Sequence, residues 1–108
     1  MINDADIEKV VDYLRDNATK AAQARANRIY LEEFRKTIKA EIMREHPSDS
    51  LGAQEAIAYA ADRYRQHLLA MKDAIQQDEY HRWMMVAAEA KLEAWRTQQA
   101  NSRALGKL

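Results

Sequence analysis

His46, His67 and His81 are the residues best suited by type to acid–base or metal chemistry, and their spacing argues against both. No two are placed as His-x-x-x-His, and no Glu-x-x-His repeat sets up a metal site inside a helical bundle. Glu45 and His46 are adjacent, so on a helix they point to different faces. Three solvated surface histidines are the expectation. The chain has no Cys, hence no disulfide framework and no thiolate ligand. There is no Gly-rich phosphate loop and no Gly-x-Ser-x-Gly elbow. Scattered Ser and Asp offer no nucleophile–base pair. No catalytic residue, cofactor, metal or small-molecule substrate is therefore expected.

Binding chemistry is better represented. Tyr80-His81-Arg82-Trp83-Met84-Met85 places six bulky side chains in a row, and a helix cannot turn all of them into one core. The favoured reading is a wide core face that doubles as an oligomer contact. The other is a docking surface, because aromatic, Met and Arg side chains are enriched at interface centres. Tyr80, Trp83, Met84, Met85 and Trp95 are the candidate protein-interface residues.

Charge is balanced overall, with 17 Lys+Arg against 17 Asp+Glu, which disfavours non-specific duplex binding. Its distribution is uneven: residues 1–16 carry net −3, residues 20–44 net +4 and residues 91–108 net +3. Two basic segments could track a phosphate backbone, with Trp95 or Tyr30 available to stack a base. Arg25, Arg28, Arg96, Arg103 and Lys107 are the candidate nucleic-acid-binding residues. Ordinary solvated helix faces explain the same charges and are preferred. The tail from Trp95 to Arg103 is rich in Gln, Asn, Thr and Ser and holds no acid. It reads as a fraying helix end, or as a surface for nucleic acid or a neighbouring subunit.

The elements that would position these residues are helices. Gly (2) and Pro (1) are scarce and Ala is abundant, so helix is favoured nearly everywhere in a single domain of 108 residues. Asp4 or Asn3 can cap a first helix over about 4–16 that aligns Ile7, Val10, Val11 and Leu14. Asp16-Asn17-Ala18-Thr19 is a break between helices, or a surface turn of one unbroken helix. A second helix covers about 19–45, with Ala24, Leu31, Phe34, Ile38 and Ile42 on one side, widened by Ala22, Ala26, Ile29 and Tyr30. Glu32 and Lys36 are spaced to pair. Pro47 sits in a loop over 46–52. A short helix follows over 53–60, and Asp62 can cap the last, 62–104, unless the helix runs straight through. In it Tyr64, Leu68, Met71 and Ile75 form one stripe and Trp83, Val86, Ala90 and Ala94 another, with polar Asp78-Glu79 interrupting any long coiled-coil seam. The expected fold is all-α, an antiparallel long-helix hairpin resembling a coiled coil, self-associating to cover its stripes. No apolar run spans a bilayer and the first residues lack signal-peptide character, so a cytoplasmic protein is expected.

Ala5-Asp6-Ile7-Glu8-Lys9, Tyr13-Leu14-Arg15-Asp16-Asn17-Ala18, Tyr30-Leu31-Glu32-Glu33-Phe34-Arg35-Lys36 and the run Lys91 to Asn101 together resemble small phage proteins encoded near recombination genes. The layout of helical hairpin, loop, long helix and polar end near an Arg is similar to the UvsY-type recombination mediators. That resemblance implies an oligomeric accessory protein that binds single-stranded DNA, a recombinase, or both, in a host cytoplasm. The alternative is a helical adaptor or inhibitor that binds a host or phage protein and no nucleic acid.

Overall fold

A computed structural model describes residues 1–106 and contains three helices and no strand. They are α1 (Asp4–Arg44), α2 (Leu51–Ala60) and α3 (Asp62–Gly106). The long-helix hairpin is thus the observed architecture.

Asn3, and not Asp4, caps α1: its Oδ1 accepts from the Asp6 amide at 2.8 Å, while Asp6 Oδ2 accepts from the Asn3 amide at 3.3 Å. This reciprocal pair satisfies two amides at the helix start. The helix then runs through Asp16–Thr19 without interruption, so helices over 4–16 and 19–45 are replaced by one. The polar residues there find partners inside the helix. Arg15 reaches Asp12 at 3.1 Å and Asp16 at 3.0 Å, and Asn17 Nδ2 donates to the Tyr13 carbonyl at 2.9 Å. The hydrogen bond to Asp16, then the charges of Asp16 and Asp12, hold Arg15 above its ordinary pKa.

The turn after α1 occupies 45–50, shorter than the expected 46–52. Ser50 Oγ accepts from the Ala53 amide at 3.3 Å and opens α2 two residues earlier than its alanine run suggests. Gln54 Nε2 donates to the His46 carbonyl at 2.7 Å, tying α2 back across the turn. One residue, Ala61, separates α2 from α3. Its extended backbone (φ −66°, ψ 140°) halts the first helix, and its carbonyl accepts from Arg65 as the second begins. Asp62 is therefore the first helical residue of α3 rather than its cap.

Packing within these helices divides into two compact units, 23–78 and 1–22 with 79–108. In the first, α1 and α3 run antiparallel: Glu45 meets Arg63 at 2.9 Å, the Leu31 carbonyl meets His67, and Arg28 meets Asp78 at 3.1 Å. α2 closes this unit. Ile38, Ile42, Ala58 and Tyr64 form its core, with Phe34, Met43, Ile57 and Ala61 packed around them. Ile42, 2% exposed, is the largest side chain fully enclosed. Lys39 extends over the Tyr59 ring at 4.7 Å and toward Glu55 at 3.7 Å. The hydrogen bond with Tyr59, followed by the charge of Glu55, outweighs desolvation and raises the Lys39 pKa.

The other unit consists of two helical stretches without a third. Among its described residues Ile7 and Val10 are buried, while Leu14, Met85, Leu92 and Trp95 are half-buried.

Candidate functional site

The side chains α3 turns inward recur at steps of three and four. In unit 23–78 they are Tyr64, His67, Met71, Ala74 and Asp78; in the other unit, taken by itself, they are His81, Met85, Ala88, Leu92 and Trp95. This is the period of a coiled-coil seam. The two expected stripes change accordingly. Leu68 is exposed and His67 takes its place inside; Trp83, Val86, Ala90 and Ala94 all face outward. The Asp78 interruption is not a gap in the seam but a member of it.

His67 departs from the expectation of a solvated histidine. It is 7% exposed, its ring lies 6.0 Å from that of Phe34, and its Nε2–H donates to the Leu31 carbonyl at 2.6 Å. A buried polar ring with a backbone acceptor is a satisfied core residue. His46 and His81 are half-buried. His81 Nδ1 and Trp95 Nε1 are enclosed without a hydrogen-bond partner among the described residues. No group of three or more His, Asp or Glu side chains is arranged to hold a metal ion among the described residues. No helix is long and apolar enough to cross a membrane among those residues.

The nucleic-acid candidates separate by environment. Arg28 is engaged: Nε donates to Glu32 at 2.9 Å and Nη1 to Asp78 at 3.1 Å, with the guanidinium 29% exposed and Asp78 14%. Its pair with Asp78 links α1 to α3. Glu32 thereby turns to Arg28 and not to Lys36, which lies 3.6 Å from Glu33. Arg25 and Arg103 are exposed, and Arg96 is exposed and 3.3 Å from Glu93. Lys107 lies outside the described residues.

The protein-interface candidates are more coherent. Tyr80 (57% exposed), Trp83 (61%), Met84 and Val86 all lie on the surface of α3. Met85 and Trp95 are half-buried on the inward side and belong to the seam. Outward from Tyr80, the positions Trp83, Ala87, Ala90 and Ala94 recur at the same three–four spacing and carry no charge. Met84 and Ala87 also border an apolar groove of about 250 Å³, whose α1 side is built from Val10 and Tyr13 with Lys9 and Asp6. Charged Arg82, Glu89, Glu93 and Arg96 collect along one flank. Arg82 stands 5.7 Å from the Trp83 ring and 3.7 Å from Glu79.

A second seam outside the first was legible in the three–four steps from Tyr80 to Ala94. It was hidden by assigning Trp83, Val86, Ala90 and Ala94 to the core. No protein-family model matches this chain, and no curated protein or solved structure is significantly similar to it.

Proposed function

We propose that this chain is a non-enzymatic helical docking module that binds protein through the outward face of α3 between Tyr80 and Ala94. The observation that carries the reading is the exposure of Tyr80, Trp83, Met84 and Val86 on a single helix. Isolated surface apolar residues are ordinary, but clustered aromatic and Met side chains mark interaction sites. The unit that bears them has two helical stretches and few enclosed side chains, so docking supplies cover that its own fold does not.

Photocrosslinking in cell extract tests this. A photoreactive residue at position 83 should give protein adducts that the same residue at Gln66, exposed on α3 outside this face, does not. Equal labelling at the two positions would reduce the cluster to a solvated surface.

A second reading follows the resemblance to phage recombination mediators. Arg25 and Arg103 are exposed, so each can meet phosphate. In that reading the docked protein is a recombinase and the ligand of the arginines is single-stranded DNA. Fluorescence anisotropy at low salt should then show binding that weakens steeply as salt rises. A flat titration at ~50 mM salt, where phosphate contacts are strong, removes the nucleic-acid part and leaves protein docking in place.

A further inference from the structure

We infer that the occupant of the α3 face is a second copy of this chain, packed antiparallel about a twofold axis beside Ala87. The inference rests on the docking reading and specifies its partner.

The face is unevenly filled along its length. Its bulky members, Tyr80 and Trp83, stand toward the N-terminal end of α3, and its small ones, Ala87, Ala90 and Ala94, toward the C-terminal end. Two such faces laid parallel would set ring against ring and leave the alanines apart. Laid antiparallel and centred on Ala87, they place Tyr80 against Ala94 of the second copy and Trp83 within one residue's rise of Ala90, the nearest small side chain on the face. Every large group then meets a small one, which is how helix surfaces interlock at close range.

The charges obey the same operation. In an antiparallel pair with the axis across the helices, each flank meets its own counterpart. Arg82 then comes within one residue's rise of Glu93 of the second copy, and Glu93 of the second Arg82, a gap that both side chains can span. Within one chain these groups hold weak surface partners, Glu79 at 3.7 Å and Arg96 at 3.3 Å, which are readily exchanged. On the opposite flank, Lys91 falls beside Met84, whose side chain can pack along the lysine stem. A self-matching patch is what a twofold homodimer demands. Zero net charge adds no long-range repulsion between copies. Joining two two-helix units this way makes a four-helix arrangement.

The test is sedimentation of the purified chain with Ala87→Glu and Ala87→Lys, each placing like charges against themselves on the axis. Ala87 is exposed, and circular dichroism establishes that both variants keep their helices. The parent chain should sediment as a dimer at roughly 50 µM, above the micromolar Kd of a weak interface. Either variant alone should dissociate at least about tenfold more readily, while an equimolar mixture of the two should recover a dimer. A monomeric parent overturns the inference, as do variants that dimerise unchanged or a mixture that stays monomeric. A monomeric parent that still crosslinks to other proteins from position 83 leaves the docking reading standing. Absence of every adduct removes both.

Discussion

Arg28 and Asp78 are 50 positions apart in the chain and join α1 to α3 through a 3.1 Å contact between largely shielded groups. Removing Arg28 leaves the shielded Asp78 without this partner, while removing Asp78 leaves Arg28 with Glu32 at 2.9 Å. Arg28→Leu and Asp78→Leu should each lower stability, and the double variant should cost less than their sum. The coupling expected in urea denaturation is about 0.5–3 kcal/mol, the range for residues sharing a contact. Strict additivity would mean that the pair contributes nothing to the packing. The buried role of His67 and Asp78 was hard to read from sequence for one reason. A stripe defined by apolar residues alone ends wherever a polar residue takes an inward position. Steps of three and four from Tyr64 to Trp95 were present all along, but they become visible once polar side chains are admitted to the count. Ile38 and Ile42 needed no such correction, because burial of aliphatic side chains at helical spacing is the default.

At the level of elements, the turn at Pro47 and the long reach of α3 followed from composition and from where helix breakers fall. What composition did not reveal was continuity through Asp12–Thr19. Residues that favour caps in isolation were satisfied by Arg15 and by the Tyr13 carbonyl, and so the helix had no cause to stop. The stop at Ala61 is the reverse case: nothing in an alanine announces it. Ala58 and Tyr64 pack into one core from either side of Ala61, which is itself packed against that core in extended conformation. Its extended backbone is the geometry preferred before a proline, and Asp62, as first helical residue, makes no intrahelical amide bond. Asp62→Pro should therefore be neutral or raise stability by up to about 1 kcal/mol in thermal melts. Lys72→Pro, in the middle of α3, should cost about 3 kcal/mol or more. Equal losses would mean that α2 and α3 are one helix in solution.

In the unit of residues 1–22 and 79–108, the exposed apolar stripe and the inward-facing one lie on different sides of one helix. Hydrophobicity alone could not sort them, since Trp83 and Trp95 are the same residue type, one outside and one half-buried. Val10 and Tyr13 of α1 stand beside Met84, Ala87 and Ala88 of α3, while Tyr80, Trp83 and Val86 stay exposed.

The contacts of unit 23–78 also differ in how far apart their ends lie along the chain: 18 residues for Glu45–Arg63, 36 for Leu31–His67, 50 for Arg28–Asp78. Longer closures cost more entropy, and each becomes short once the preceding one is made. The rods should therefore zip from the α2 corner toward their open ends. In stopped-flow chevrons on the Ala87→Glu chain, Ile42→Val should chiefly slow refolding, and Asp78→Ala should chiefly hasten unfolding. Speed of assembly would then reside beside the proline turn, and lifetime at the opposite end of unit 23–78.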